Sequence, residues 1–509
     1  MTKPAPTTTG SAHAATVTPL HRSADERSLT ELLDLQRAAF LRDGIPDAAT
    51  RISRINRLSS LLLDHAEEIA EALDADFGTR PRDLSIATDV AGCMIDLAHQ
   101  RKHVRSWMKT EKVAKAKAMG LAGFSQRIRH DPLGVVGIIG PWNFPLQLTV
   151  VPAGSAFAAG NRVMMRPSSA TARTTAVLAK YAPNYFSLEE FAVLTSAHGS
   201  GSDFAKLKVD HMFFTGSPEV GASVAAEAGK NLVPVTLELG GKNPAVVDVD
   251  ADIDVAAKRL ADARMVNSGQ VCLCPDYAFV PEDKLGQFTD RVMARWRENY
   301  SSVLHNDQFT STINEKNYTR IVGLIDDAVS LGATKQQLIP AGEKLPDAAS
   351  RKIPPTLLTG VSAGMKIEED EVFGPVLTVY PYRDLGEAIS HITSHSHPLT
   401  MYWYGPDNDR YEALQDATRS GSVNGNDFAL NLLSAELPFG GVGASGMGSY
   451  HGKFGFATFS HARAVTHSRM PLSFAELMSA PFRKRDTRST NIQLAMWRLI
   501  TRRASKKIR

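Results

Sequence analysis

From Leu29 to Met108 apolar residues recur at helical spacing. Leu32, Leu33, Leu35, Ala39 and Phe40 form one stripe, and Ile55, Leu58, Leu61, Leu62 and Ile69 form another, so this stretch is predicted helical. Residues 109–117 are basic and are followed by Gly120 and Gly123; Phe124 to Ile128 then alternate with polar positions, as an exposed arm or hairpin would. The pattern changes at Leu133. Val135 to Ile139 is a short continuous apolar run, the mark of a strand buried on both faces. Comparable runs follow at Arg162–Met165, Phe191–Thr195, Met212–Phe214 and Ala245–Val247, with helical stretches between several of them. Strand and helix in alternation predict parallel α/β layers. A second series, with Ala278–Val280 and Val376–Tyr380 as strands, gives a second α/β lobe, and the boundary falls near Gly240-Gly241.

Composition adds limits. At 509 residues the chain is too long for one simple core, which agrees with two lobes. The net charge is only +3, and much of the basic excess sits in the last forty or so residues, which does not describe a nucleic-acid binder. Three cysteines argue against a disulfide framework and for a reducing compartment. Residues 1–28 read as a disordered lead-in without the apolar core of a secretory signal. No run approaches the ~20 apolar residues that span a bilayer. A cytoplasmic protein is the default expectation.

The chemistry concentrates in Asn267-Ser268-Gly269-Gln270-Val271-Cys272-Leu273-Cys274-Pro275, which holds two of the three cysteines. A thiol becomes a nucleophile only as thiolate, so it needs access and a helpful electrostatic neighbourhood, and a loop ending in Gly-Gln supplies access and backbone N–H groups. A buried small hydrophobe is the alternative, and Cys274 keeps that reading. Glu238, among apolar neighbours and followed by Gly240 and Gly241, suits a general base with a desolvated carboxyl; an outward-facing strand residue is the alternative. Asn143 lies between Pro141 and Pro145 in a turn that would hold an amide donor rigidly, as an oxyanion hole requires, though turn chemistry alone also favours asparagine.

A dinucleotide site is suggested where the strand Met212–Phe214 runs into Gly216, Ser217, Pro218 and Gly221: Ser217 is a plausible N-cap and Pro218 suits the first helical position. The spacing is not G-x-G-x-x-G. That literal motif occurs at Gly441–Gly446, follows no strand and opens no helix, so it is rejected as the dinucleotide site. No G-x-x-x-x-G-K-[ST] occurs, so nucleotide hydrolysis has no support. His391, His395 and His397 resemble metal ligands at first sight, but with Pro398 close behind a solvated loop is expected and no metal.

Together these pieces resemble the aldehyde dehydrogenase superfamily. Pro-Trp-Asn-Phe-Pro (141–145), Phe-Thr-Gly-Ser-x-x-x-Gly (214–221), Leu-Glu-Leu-Gly-Gly-Lys (237–242), Gly-Gln-x-Cys (269–272), Glu-x-Phe-Gly-Pro (371–375) and Pro-Phe-Gly-Gly-x-x-x-Ser-Gly (438–446) stand in the family's order. The stretch Tyr450 to His461 is similar to the class 3 and coniferyl aldehyde dehydrogenase branch. The resemblance implies two Rossmann-like three-layer α/β lobes plus a small β arm for oligomerisation. Residues 29–112 and 132–240 would bind the dinucleotide, 241–440 would be the catalytic domain, 113–131 and 441–466 the arm, and 467–509 a basic extension.

It also implies roles. Cys272 would attack the aldehyde carbonyl to give a thiohemiacetal, its oxyanion held by the Asn143 amide and the Cys272 N–H. Hydride would leave for the nicotinamide of NAD or NADP, and Glu238 would activate water to hydrolyse the resulting thioester. Glu371 would hold the nicotinamide ribose and Phe373 would pack beside the ring, while Trp142, Gly216, Ser217 and Gly221 would line the dinucleotide path. A homodimer is implied, with a homotetramer as the alternative.

One departure bears on the cofactor. The family usually has Lys-Pro-x-Glu where this chain has Arg166-Pro167-Ser168-Ser169. Loss of the carboxylate removes its repulsion of a 2′-phosphate, and Arg166 keeps a cation, so NADP is expected to be accepted beside NAD. Phe144, Gln147, Leu148, Val151, Val266, Val271 and Leu273 are expected along the substrate tunnel, and branch likeness points to coniferyl, other aryl or medium-to-long-chain aldehydes. Near the C-terminus Ile492, Met496, Leu499 and Ile500 fall on one helical face, with Trp497 nearby and Arg498, Arg502, Arg503, Lys506 and Lys507 after them. Such a segment suits peripheral contact with an anionic membrane; a solvated tail or a helix packed on a neighbouring subunit are the alternatives. Rival functions are a CoA-acylating relative and a catalytically silent binding protein.

Overall fold

The computed structural model describes residues 27–113 and 123–469, with 473, 475, 498, 501, 502 and 505 beyond them. Two compact units result. One comprises the chain up to Trp107 with Pro132–Ser460, and the other Met108–Asp131 with the chain from His461.

The strands of the larger unit are buried as their apolar runs require. In chain order, after β1 (Glu111–Lys112) and β2 (Phe124–Pro132) of the smaller unit, come β3 (Val135–Ile139), β4 (Arg162–Arg166), β5 (Phe191–Val193), β6 (His211–Gly216) and β7 (Val235–Leu239). With β15 (Gly446–Met447) they form a six-stranded sheet of order β15-β7-β6-β3-β4-β5, parallel except for β15. The seven-stranded sheet has the order β10-β11-β12-β9-β8-β13-β14. Its members are β8 (Asn243–Val247), β9 (Pro275–Pro281), β10 (Thr334–Gln337), β11 (Thr356–Thr359), β12 (Val376–Tyr382), β13 (Thr400–Tyr404) and β14 (Ser422–Gly425), with only β10 antiparallel. The chain therefore crosses from one sheet to the other through Gly240 and Gly241. Each sheet has its own apolar core: Val135, Met164, Met212 and Leu237 belong to the first, and Ala245, Ala278, Leu357 and Tyr402 to the second.

The first helices match their stripes. Leu29–Asp43 opens with a capping box on Ser28 and buries Leu32, Leu33 and Ala39, while Ala48–Asp64 and Ala66–Phe77 bury Ile55, Leu58, Leu61, Leu62 and Ile69. The helix Gln147–Ala159 is buried along nearly its whole length and stops at Gly160, which takes the left-handed conformation.

The smaller unit holds a three-stranded sheet of order β1-β2-β16, with β16 at Ser460–Ser468. Residues 441–460, expected in the arm, lie in the larger unit instead, and residues 108–112, expected in the dinucleotide-binding domain, lie in the smaller one. In the larger unit β15 pairs with β7, and the helix Gly452–Thr458 buries Gly452, Gly455 and Phe456. A side chain at Gly446 would run into the Leu237 carbonyl, so glycine is what lets β15 close on the sheet. The lead-in up to residue 26 and the apolar face at Ile492, Met496, Trp497, Leu499 and Ile500, with Arg503, Lys506 and Lys507, lie outside the described residues; Arg498 and Arg502 are helical and exposed. Among the described residues no helix is long and apolar enough to cross a membrane.

Candidate active site

In the six-stranded sheet the chain runs outward from β3 through β4 to β5, then returns to the other side of β3 as β6. The crevice beyond the carboxyl ends of β3 and β6 is thus a topological switch point, where open parallel sheets take ligands. A cavity of about 410 Å³ opens there. Pro141, Trp142 and Asn143 line it from beyond β3, Thr215 to Glu219 from the end of β6, and Glu238 to Gly240 from β7. Cys272, Glu371 and Phe373 complete it from the other lobe's segments.

The cysteine loop is bent by three successive residues in the left-handed region, Asn267 (φ 49°), Ser268 (φ 52°) and Gly269 (φ 75°). Two non-glycine residues in that region store local strain, about 1–3 kcal/mol each, which only a rigid surround sustains. The surround is visible. Gln270 donates from Nε2 to the Asn267 and Ser311 carbonyls (3.0 and 3.1 Å) and accepts from the Ile313 N–H (3.0 Å). Ser268 Oγ donates to the Thr310 carbonyl at 2.6 Å. Asn243 Nδ2 donates to the carbonyls of Cys272 (2.7 Å) and Cys274 (3.0 Å), and Tyr402 to that of Leu273 (2.6 Å). A Cβ at Gly269 would collide with the Gly374 carbonyl, so this position admits glycine alone. Cys272 emerges half-buried on the cavity wall, whereas Cys274 and Cys93 are buried.

Asn143 is buried and donates through Nδ2 to the Gln270 carbonyl at 3.1 Å, two residues from the thiol. Its own carbonyl accepts from Arg80 Nη1 (2.8 Å) and Asn267 Nδ2 (3.3 Å). Arg80 forms a fully buried ion pair with Asp89 (2.6 Å), and Asp89 also accepts from the Leu146 N–H (3.1 Å). This pair holds the Pro-Trp-Asn-Phe-Pro turn at its central carbonyl and just past its last residue. Asp89 stands on a π-helical turn, Ile86–Ala91, that no spacing in the sequence announces.

Glu238 is buried on β7, and neither carboxylate oxygen has a hydrogen-bond partner. Desolvation holds its carboxyl well above the ordinary range, as expected of a base poised to take a proton. Glu371 is pushed up to about 8, first by desolvation and then by the Asp276 carboxylate. The Cys272 thiol is pushed up to about 12 by desolvation, then by the Glu371 and Glu238 carboxylates. The site therefore does not by itself ionise the Cys272 thiol.

The dinucleotide-path residues divide. Ser217 caps the thirteen-residue helix Pro218–Lys230, accepting from the Val220 N–H. A Cβ at Gly216 would sit 2.5 Å from the Phe214 ring, and one at Gly221 2.6 Å from Leu239. Gly216 lines the cavity, but Gly221 serves close helix–sheet packing and is not on its wall. Trp142 and Phe373 meet edge to face with ring centres 5.3 Å apart. Arg166 is buried and donates to the Gly199 carbonyl at 2.9 Å, while Ser169 is exposed; neither lines the cavity. Of the seven tunnel residues only Leu148 lines it, joined by the unforeseen Leu399 and Phe439. Leu273 and Val271 are buried because the loop turns them into the core.

Other residues escaped the sequence reading. Arg320 lines the cavity and donates to the Glu371 (2.9 Å) and Val372 (2.7 Å) carbonyls. Lys242, paired at 2.8 Å with buried Asp276, donates to the Asp370 carbonyl at 3.3 Å, and Asp276 accepts from the Val372 N–H. These fix the loop that carries Glu371 and Phe373. The Gly-Gly-Lys ending of the 237–242 motif was the one available signal.

The sequence profile of the aldehyde dehydrogenase family matches residues 17–465. A probable coniferyl aldehyde dehydrogenase of Caulobacter vibrioides is 41% identical over 450 residues, covering 88% of this chain and 93% of that protein. A coniferyl aldehyde dehydrogenase of a Pseudomonas species is 41% identical over 455 residues, covering 89% and 94%. The substrate-bound state of Staphylococcus aureus AldH superposes with a TM-score of 0.83 at 30% identity, over 92% of this chain and all of that one.

Proposed function

The chain belongs to the aldehyde dehydrogenase family, an oxidoreductase family that acts on aldehydes with NAD(P), and on that premise we propose a division of labour among its residues. The observation that carries it is the convergence of Cys272, Asn143 and Glu238 on one cavity beside Glu371 and Phe373. Cys272 gives its thiol proton to solvent and adds as thiolate through Sγ to the aldehyde carbonyl carbon, whose C=O π pair moves onto oxygen. The resulting oxyanion is stabilised by the Asn143 amide and the Cys272 N–H, both held by the pinned loop. Glu238 takes a proton from the water that attacks the thioester carbonyl, and its unbonded oxygens leave it free to do so. The products are the carboxylic acid and the regenerated thiol.

A nicotinamide cofactor fits the residues present. Gly240 leaves space that a Cβ would take from the Glu371 carboxylate, and the capped helix Pro218–Lys230 offers its N-terminus at the switch point. Bound there, the cofactor supplies the acceptor for the aldehyde's hydride. Glu371 would hold the ribose on its nicotinamide side, and Phe373 and Trp142 would flank the ring. At the adenosine end, Ser169 is exposed and puts no carboxylate near a 2′-phosphate, so NADP is accepted beside NAD. The protein acts on coniferyl and related aryl aldehydes. Support comes from the apolar wall of Leu148, Leu399 and Phe439 and from the relatives' named substrate.

A screen of aryl and aliphatic aldehydes with each cofactor, scoring acid product against acyl-CoA when CoA is present, tests the reading. Acid from coniferyl aldehyde with comparable kcat/KM for both cofactors is expected. Acyl-CoA as the product, or a strong preference for NAD, would overturn the corresponding part.

A further inference from the structure

His391 and His395 do not lie in the solvated loop that their sequence suggests. His391 is on the last turn of the helix Leu385–Ser394 and His395 caps it, because that helix ends before Pro398 can disturb it. Four residues apart, their rings stack with centres 4.5 Å apart, and both face Glu368 on the short helix Lys366–Glu369. His397 stays exposed and outside the group.

The hydrogen bonds around this trio decide what it can hold. His395 Nδ1 lies 2.7 Å from the His391 carbonyl oxygen, which can only accept, so Nδ1 carries a hydrogen and the neutral ring has its lone pair on Nε2. That lone pair meets Glu368 Oε1 at 3.5 Å. His391 Nε2 is buried without a hydrogen-bond partner and sits 3.6 Å from the same oxygen. Glu368 is buried, and its other oxygen accepts from the Tyr380 hydroxyl, which leaves Oε1 as the donor atom presented to both rings. The His395 lone pair and the Glu368 oxygen repel at this separation unless a proton or a metal cation lies between them. The separations are too long for hydrogen bonds. They match the edge of a tetrahedron with bonds of 2.0–2.2 Å, about 3.4 Å.

We propose that Glu368, His391 and His395, none of which lines the cavity of Cys272, form a binding site for one zinc-class divalent metal ion that is structural in role. Two imidazoles and a carboxylate suit zinc, and His395, through the His391 carbonyl, and Glu368, through the Tyr380 hydroxyl, each have an outer partner of the kind that orients metal ligands. Tyr277, Phe279 and Tyr380 wall His391, with ring centres 5.4, 5.1 and 5.0 Å away, which limits water on that side. The ion ties the Lys366–Glu369 turn to the end of the Leu385–Ser394 helix. That turn runs straight into Asp370 and Glu371, so the metal steadies the loop the proposed chemistry uses. His99, His103 and Glu436 also approach one another, but Glu436 is exposed there.

The test titrates Zn²⁺ alone into the full-length, chelator-stripped chain carrying Cys272→Ser, so that the thiol cannot bind the ion. One equivalent is expected per chain, with a metal-dependent rise in Tm. His395→Gln and Glu368→Gln should each weaken binding by on the order of 100-fold or more, while His397→Ala and His99→Ala leave it unchanged. Unaltered metal-free Tm values will show that the variants fold. Absence of stoichiometric binding, binding undiminished in His395→Gln, or binding lost in His99→Ala would overturn the assignment.

Discussion

Each of the five carbonyls from Gln270 to Cys274 accepts a hydrogen bond, from Asn143 and Asn267, the Cys274 N–H, Asn243, Tyr402 and Asn243 again. Glu238, across the same cavity, accepts none at either carboxylate oxygen. The backbone of the proposed nucleophile is over-determined, and the proposed base is left unpaired in a desolvated position. A nucleophile must meet a carbonyl carbon at one angle and distance, where small errors cost orders of magnitude in rate. A base that activates water needs an open oxygen more than a fixed one. An unpaired buried carboxylate is costly, and the chain lowers that cost by raising the group's affinity for a proton.

If the contrast is right, removing the pinned group is the more damaging change. Cys272→Ser keeps the loop's hydrogen bonds, which run to the backbone, yet should lower kcat by roughly 10⁴-fold or more with Tm unchanged. Steady-state turnover within tenfold of wild type would refute the nucleophile. Glu238→Gln comes next. It should slow thioester hydrolysis by about 10²–10⁴-fold while leaving the first step intact, so rapid mixing should show a burst of reduced cofactor followed by a slow phase. Because the raised carboxyl must lose its proton to act, hydrolysis should quicken as pH rises in the wild type and become nearly flat in the variant. Loss of the burst itself would mean that Glu238 serves the attack instead.

The two regions also differ in how far the sequence revealed them. The strands around Glu238 could be read from continuous apolar runs: Val135–Ile139 is a strand over those residues, and Met212–Phe214 lies inside β6. Burial on both faces leaves a local signal, since every position must be apolar. Cys272 and Asn143 were expected from motifs with a chemical reason, and Glu371 only from the family resemblance. The loop's supports were not. Asn243, Tyr402, Gln270 and the Arg80–Asp89 pair act through contacts made across the fold, and hydrogen bonds to carbonyls leave no periodicity. Gln270 stood in a motif, but its buried bonds to residues 311–313 give it a scaffold role that spacing could not disclose. The loop expected at His391 and His395 is corrected for a related reason: the helix Leu385–Ser394 carries His391 and ends at His395, and the contact with Glu368 is made across the fold.

Breaking the pinned loop without touching the thiol sharpens the contrast further. Gly269→Ala places a Cβ against the Gly374 carbonyl and puts alanine in the left-handed region, so the loop must shift. A loss of about 2–4 kcal/mol in unfolding free energy is expected, with kcat falling by roughly 10–100-fold. Urea denaturation together with steady-state kinetics measures both. Full activity in a destabilised variant would show that loop precision does not serve the chemistry.

The smallest effect concerns the thiol's charge. Desolvation, and after it the Glu371 and Glu238 carboxylates, push Cys272 upward, so the cofactor-free enzyme should carry little thiolate at neutral pH, and its alkylation by iodoacetamide should climb with pH. Glu371 ionises at about 8, so its charge opposes the thiolate only above that value. In Glu371→Gln the carboxylate is gone, the thiol's proton is held less tightly, and alkylation at pH 9 should be roughly threefold to tenfold faster. At pH 6.5 Glu371 holds its proton and the two proteins should react alike. Equal rates at pH 9 would mean that burial of the thiol, and not the facing carboxylates, sets the reactivity of the sulfur.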